Sequence, residues 1–134
     1  MKTDVDSPDG RTGNGGHTTV QTWRDVCALE QILPNSGMPA LVDGRQIALV
    51  RVGEQTIYAI SNYDPFSEAF VIARGIVGDR DGRAKIASPI YKQNFDLETG
   101  ACLDDPSVTL MTYPVRVIGG RVELAWPLPE GNRS

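Results

Sequence analysis

Residues 40–60 read ALVDGRQIALVRVGEQTIYAI, and this stretch decides the fold class. The turn dipeptides Asp43-Gly44 and Gly53-Glu54 separate three short runs of apolar and β-branched residues. Turn dipeptides between β-branched runs are the sequence signal of β-hairpins. The stretch therefore predicts three antiparallel strands joined by two tight turns.

A second hairpin is predicted near the end of the chain. Residues 113–118 and 121–126 are strand-like runs on either side of Gly119-Gly120. Short strands separated by turns, without a long amphipathic helix, indicate an all-β antiparallel sandwich or barrel. The apolar spacing of residues 23–33 before Pro34 predicts at most one short helical turn.

The two ends of the chain differ from this pattern. Residues 1–19 are rich in Gly, Asp, Ser and Thr and lack apolar side chains that could offset the entropy of ordering. Residues 127–134 are rich in Pro, Gly and polar residues. We expect a flexible leader over 1–19, one domain over 20–126 and a flexible tail over 127–134.

Composition argues against several classes of partner. The chain has 134 residues and a formal net charge of −4, with no run of Lys or Arg, so a nucleic-acid partner is not expected. Apolar runs such as residues 47–50 are too short to cross a membrane. Residues 1–5 are not followed by an apolar segment of the kind found in secretion signals. These features predict a cytoplasmic protein without a membrane partner.

Catalytic chemistry has little support in the sequence. The single histidine, His17, lies in the polar leader, where nothing fixes its orientation. Cys27 and Cys102 form no CxxC or Cys/His spacing, and no phosphate-binding glycine motif is present. We therefore predict no catalytic residue and no metal or cofactor in this chain.

One stretch carries a family resemblance. Residues 86–100 read IASPIYKQNFDLETG, which resembles the second ligand loop of Rieske ferredoxins, C-P-x-H-G-x-x-F-D-x-x-T-G. Residues 58–64, YAISNYD, follow a strand as the family's first loop, C-x-H, does. The resemblance implies a Rieske-type antiparallel β sandwich or barrel with two protruding loops. It maps the four cluster-ligand positions onto Asn62, Asp64, Ser88 and Tyr91.

Those four residues cannot reproduce a Rieske site. A Rieske cluster needs two thiolates and two neutral imidazoles, whereas this chain offers an amide, a carboxyl, a hydroxyl and a phenol. No [2Fe–2S] cluster is therefore expected. An alternative is a hard-oxygen site for a divalent ion at Asp64 and Tyr91, which Mg²⁺ or Mn²⁺ chemistry would permit.

A ligandless version of this pattern is typical of one family. Residues 61–67, 73–79, 88–93 and 102–106 resemble, in order, strings of the small subunit of assimilatory NAD(P)H nitrite reductase. This resemblance implies an NADH-dependent enzyme that reduces nitrite to ammonia in nitrate assimilation. Its large subunit is expected to hold FAD, an iron–sulfur cluster and sirohaem. The present chain is then expected to be a non-redox accessory subunit whose partner is the large subunit.

The two loops offer candidate contacts for such a partner. Aromatic and Arg side chains are enriched among residues that dominate interface energies, and the candidate large-subunit interface is Tyr63, Pro65, Phe66, Arg74, Ile90, Lys92 and Asp104. A competing interpretation is that Phe66 and Tyr91 fill the space that a cluster would occupy. A second alternative is a free-standing Rieske-fold protein-interaction adaptor with an unrelated partner.

Overall fold

The computed structural model describes residues 22–126, which form an all-β fold and confirm the predicted class. The predicted leader and tail lie outside this range, and so do residues 20 and 21 of the predicted domain. No helix within 22–126 is long and apolar enough to cross a lipid bilayer. The strands are β1 (Thr22–Ala28), β2 (Ser36–Val42), β3 (Arg45–Val52), β4 (Thr56–Ser61), β5 (Tyr63–Asp64), β6 (Ala69–Phe70), β7 (Ile76–Arg80), β8 (Arg83–Ala87), β9 (Asn94–Asp96), β10 (Val115–Ile118) and β11 (Arg121–Trp126).

The predicted central hairpins form the antiparallel sheet β2-β3-β4. Val42 pairs with Arg45 across the first turn, where Asp43 and Gly44 have φ values of 49° and 82°. Two consecutive positive φ values are typical of the tight turns that match strand twist. Val52 pairs with Thr56 across the second turn. The sequence prediction for this stretch is confirmed.

Strand β3 separates two hydrophobic cores. Ile47 and Leu49 lie in a first core with β1, β10 and β11, whereas Ala48 and Val50 lie in a second core with β8 and β9. Successive side chains of a strand point to opposite faces, so a strand buried on both faces is apolar at every position. This double burial explains the continuous apolar run at 47–50.

A second sheet has the order β1-β11-β10. Its β10-β11 hairpin, with Gly119-Gly120 at the turn, confirms the predicted closing hairpin. The prediction of a helical turn over residues 23–33 is correct only for its middle, because Thr22–Ala28 is a strand and the 3-10 turn is Leu29–Gln31. Residues 22–28 are extended because they pair with β11, about a hundred positions along the chain.

The second core carries the loops that the sequence singled out. Loop 1 spans residues 62–70, between β4 and the 3-10 turn Ile72–Arg74, and contains the short β5-β6 pair. Loop 2 spans residues 88–93, between β8 and β9 of the sheet β7-β8-β9. Loop 1 follows β4 and loop 2 follows β8. Both strands belong to the second core, through Ile60 and Ile86, which cluster with Phe95, so this core sets the positions of the loops.

Candidate functional site

Asn62 begins loop 1 and is a buried structural residue. Its side-chain Oδ1 accepts a hydrogen bond from the Ala73 backbone N–H at 2.7 Å, and its Nδ2 donates to Gln46 Oε1 at 3.3 Å. Its backbone carbonyl also accepts from Ile72 N–H at 3.1 Å. Because buried amide groups need such partners, Asn62 holds the 3-10 turn and the start of β3 against loop 1.

Asp64 and Ser88 connect the two loops directly. Ser88 Oγ donates a hydrogen bond to Asp64 Oδ2, which also accepts from Ser67 Oγ at 2.9 Å. The other oxygen, Asp64 Oδ1, accepts from the Phe66 backbone N–H at 2.9 Å. We call Asp64, Ser67 and Ser88 the loop clasp. Both oxygens of this buried carboxyl group thus have donors among residues 22–126, and the clasp joins loop 1 to loop 2.

Tyr91 behaves differently from the other three mapped positions. Its side chain is 61% exposed, whereas Asn62, Asp64 and Ser88 are buried. Phe66 is half-buried and packs on Phe95 in the second core, with ring centroids 6.2 Å apart. The void-filling interpretation therefore agrees with the position of Phe66 and disagrees with that of Tyr91.

Several apolar residues of the two loops and of the adjoining strand β7 are exposed or half-buried, and we call this set the loop face. Tyr63 packs on Phe70, with ring centroids 5.1 Å apart, and Ile76 pairs with Ala87 on the strand that enters loop 2. Phe70 is 52% exposed, Ile76 69% and Ile90 47%. Its members are Tyr63, Pro65, Phe70, Ile76, Ile90 and Tyr91.

Phe70 and Ile76 were missed by the sequence reasoning. The turn residues at 65–68 could have indicated that residues 69–70 return alongside Tyr63. Ile76 gives no comparable signal, because its position beside loop 2 depends on the pairing of β7 with β8. Among the predicted interface residues, Phe66 is half-buried against the second core, whereas Arg74 and Lys92 are exposed.

Asp104 is engaged within the chain. Its Oδ2 accepts from the Asn94 backbone N–H at 2.8 Å and from Asn94 Nδ2 at 3.0 Å, and Arg80 lies 3.5 Å from Oδ1. Hydrogen bonds from Asn94, followed by the nearby Arg80, lower the pKa of Asp104. Because Asn94 directly follows loop 2, Asp104 fixes the base of that loop.

The F-D-x-x-T-G part of the sequence forms a structural turn after loop 2. Asp96 Oδ1 accepts from the backbone N–H groups of Glu98 and Thr99 at 2.8 and 3.1 Å, and Oδ2 accepts from Arg83 Nε. Burial alone would raise the pKa of Asp96, but the hydrogen bonds from Arg83, Thr99 and Glu98 lower it. Gly100 has φ of 82°, and a Cβ there would lie 2.0 Å from the Leu110 carbonyl oxygen.

Comparison with known proteins agrees with this architecture. Residues 22–125 match the model of the Rieske-like [2Fe-2S] domain family. The nitrite reductase (NADH) small subunit of Salmonella typhimurium is 40% identical over 103 residues, which cover 76% of this chain and 95% of that protein. The chain belongs to this small-subunit family within the Rieske-like proteins.

Two further relatives extend the comparison. The crystal structure of a putative NADH-dependent nitrite reductase small subunit from Mycobacterium tuberculosis has a TM-score of 0.77 and 46% identity, covering 82% of this chain and 99% of that one. The nitrite reductase [NAD(P)H] large subunit of Klebsiella oxytoca is 40% identical over 100 residues, which are 75% of this chain but 10% of that protein.

The residues that the resemblance maps onto the ligand positions do not fit the cluster for which the family is named. Iron–sulfur clusters require thiolate ligands, with imidazoles on one iron in the Rieske type, and these positions hold Asn62, Asp64, Ser88 and Tyr91. Asp64 and Ser88 are also hydrogen-bonded to each other. The loops of this family member therefore keep the Rieske arrangement of strands with a donor set unsuited to the cluster.

The divalent-ion alternative gains no support from the geometry. Asp64 is buried and its carboxyl oxygens accept from Phe66, Ser67 and Ser88, while Tyr91 is largely exposed. Within residues 22–126, no three side chains of His, Cys, Asp or Glu form a group suited to a metal ion. Cys27 and Cys102 are both buried and free.

Proposed function

We propose that this chain is the accessory small subunit of an NADH-dependent nitrite reductase and docks on the catalytic large subunit. The observation that carries the proposal is the occurrence of the same domain inside the Klebsiella oxytoca large subunit. A domain that is part of one polypeptide in one organism and a separate chain in another needs non-covalent contacts to keep the same neighbour. The large subunit is therefore the partner, and neither nucleic acid nor a membrane is needed.

The loop face is the proposed docking surface. Soluble monomers rarely expose large contiguous apolar patches, and such patches mark interaction sites. Four of its side chains, Phe70, Ile76, Ile90 and Tyr91, are about half or more exposed, and aromatic anchors supply much of the binding energy in protein interfaces. The loop clasp supports this role, because its hydrogen bonds join loop 1 to loop 2 and so fix the two loops relative to each other.

The chain contributes no redox centre in this proposal. Three of the four side chains at the mapped positions form hydrogen bonds within the chain: Ser88 with Asp64, and Asn62 with Gln46 and the Ala73 backbone. The fourth, Tyr91, is largely exposed, and none of the four is a thiolate or an imidazole. FAD, an iron–sulfur cluster and sirohaem are then expected on the large subunit, which would reduce nitrite to ammonia during nitrate assimilation in the cytoplasm. The small subunit would stabilise that enzyme or shape the surface across which electrons move.

The proposal is tested by producing the large subunit with and without this chain. Binding of the two purified proteins is measured by calorimetry, and nitrite-dependent NADH oxidation is measured for each preparation. We expect a one-to-one complex and higher or longer-lasting activity in its presence. Equal activity in both preparations, together with no detectable complex, would favour the adaptor alternative with an unrelated partner.

A pair of matched variants locates the docking surface. Ile90 on the loop face and Ile118 at the β10-β11 turn are exposed to similar extents, 47% and 53%. Combining Ile90→Ala with Tyr91→Ala should raise Kd at least about tenfold, as loss of central interface anchors does. Ile118→Ala should leave Kd unchanged. An equal loss in both would contradict docking through the loop face.

A further inference from the structure

Lys92 has a backbone conformation that disfavours its side chain. Its φ is 64°, in the left-handed region, where the Cβ of an L-residue crowds the following carbonyl oxygen. Glycine avoids this contact, and Asn or Asp can offset it by a local hydrogen bond. Glycine is also the residue at this place in the ferredoxin pattern quoted above. Lys92 makes no hydrogen bond through its side chain to any residue in 22–126, so nothing in that range offsets the strain.

The charges around the loop face are distributed unevenly. Most arginines of the described range are paired with carboxylates; the pairs are Arg24–Asp43, Arg51–Glu54, Arg80–Asp104, Arg83–Asp96, Arg116–Glu123 and Arg121–Asp25. Arg74 and Lys92 are exposed and have no side-chain partner within residues 22–126. Arg74 precedes Ile76 by two positions and Lys92 follows Tyr91, so both border the loop face. An otherwise acidic protein thus presents two cations without carboxylate partners beside its proposed docking surface, where loop 1 also carries the exposed carboxylate of Glu68.

We propose that Lys92 and Arg74, which we call the recognition cations, form ion pairs with Asp or Glu side chains of the large subunit. Those carboxylates surround the apolar surface of the large subunit that contacts the loop face. This inference rests on the proposed function. An apolar centre with a charged rim is the usual anatomy of such interfaces. Rim charges steer association and make it dependent on salt. The strained Lys92 backbone is then tolerated because its cation is used in the complex.

The sharpest test is Lys92→Gly, because fold stability and binding should change in opposite directions. Glycine relieves the left-handed backbone, so Tm should rise by about 2–4 °C. Removal of the cation should raise Kd for the large subunit about two- to fivefold at low salt, as expected for one exposed ion pair. Arg74→Gln should raise Kd by a similar factor, and the double variant by about tenfold, with a weaker dependence of Kd on salt.

Two control variants separate charge and strain from position. Asp81→Gly changes another exposed left-handed residue, φ 54°, at the β7-β8 turn, the end of that hairpin opposite Ile76. Arg121→Gln removes a cation at the β10-β11 turn. Neither should raise Kd. Lys92→Ala should raise Kd as Lys92→Gly does, but without the gain in Tm, because alanine keeps the Cβ.

The outcomes distinguish this inference from the function on which it rests. Absence of any complex between the unaltered chain and the large subunit overturns the proposed function itself. If the unaltered chain forms the complex but neither Lys92→Gly nor Arg74→Gln changes its Kd or salt dependence, only the role of the recognition cations is overturned. A rise in Kd confined to those two positions, with the control variants unaffected, supports them.

Discussion

The two cores of this protein are stabilised in different ways. The first core, between β1-β11-β10 and one face of β2-β3-β4, consists of apolar side chains such as Leu49, Val122 and Leu124. The second core has an apolar centre around Phe95, but its outer part is held by carboxyl groups. Asp64 joins loop 1 to loop 2, and Asp96 and Asp104 fix the chain beyond loop 2.

This difference indicates how the fold can fix the positions of two protruding loops with side chains that do not suit a cluster. Apolar packing depends little on the relative orientation of the groups, whereas hydrogen bonds require a defined geometry. A buried polar group without its hydrogen bond lowers the stability of the fold. In the loop region, the hydrogen bond from Ser88 to Asp64 joins two segments more than twenty residues apart. The first core then provides stability, and the second region provides a defined surface.

The largest effect is expected in the first core. Leu49→Ala removes a fully buried side chain from the middle strand. The lost burial and the resulting cavity should lower the free energy of unfolding by about 2–5 kcal/mol. Leu41→Ala, at an exposed position of the neighbouring strand β2, is the control and should cost little. Urea unfolding measures both, and similar losses would argue against a core organised around β3.

The loop clasp should give a smaller and more local effect. Asp64→Ala leaves the Ser67 and Ser88 hydroxyls and the Phe66 N–H without their acceptor. We expect a loss of about 2–3 kcal/mol, with hydrogen exchange accelerated in both loops while β3 and β11 stay protected. Ser88→Ala removes one donor and should cost less. Uniform acceleration across both cores would show that the clasp is not a local device.

The same division explains what the sequence predicts. The hairpins at 40–60 and 113–126 are predictable because their turns and strand periods are local. The strand Thr22–Ala28 is not, because it exists through pairing with β11. Asp64 and Ser88 could be placed on the two loops from the family resemblance, but their mutual hydrogen bond depends on how distant segments meet. The exposure of Phe70 and Ile76 depends on tertiary packing in the same way.

Acid should weaken the loop region through Asp96. Its pKa in the folded protein is lowered from the ordinary value of 3.8, because hydrogen bonds outweigh burial. A lowered folded-state pKa means that the stabilisation is complete above the unfolded value and is lost as pH falls through the folded one. Asp96→Asn should therefore cost about 2 kcal/mol at neutral pH and flatten the fall in stability below about pH 4. Parallel acid unfolding curves for both proteins would contradict this assignment.

The smallest effect is expected from substitutions at two residues with left-handed backbone, one beside the first core and one on loop 1. Asp43 has φ of 49° and its carboxylate accepts from Trp126 Nε1 at 2.7 Å and from Arg24 at 2.8 Å, whereas Glu68 has φ of 58° on loop 1. Glu68→Gly relieves strain and should gain about 0.5 kcal/mol, after the greater flexibility of the unfolded glycine chain is subtracted. Asp43→Gly relieves similar strain but loses both hydrogen bonds, so its Tm should fall.

Thermal unfolding of these two variants tests whether left-handed residues are retained for the same reason in both regions. At the exposed β2-β3 turn beside the first core, the carboxylate of Asp43 offsets its backbone strain by accepting hydrogen bonds from Trp126 and Arg24. On the loops, no hydrogen bond from the Glu68 side chain to residues 22–126 does so. A fall in Tm for Glu68→Gly as large as that for Asp43→Gly would show that side-chain contacts hold loop 1 as well, and would contradict the expectation that the Glu68 side chain leaves its backbone strain unrelieved.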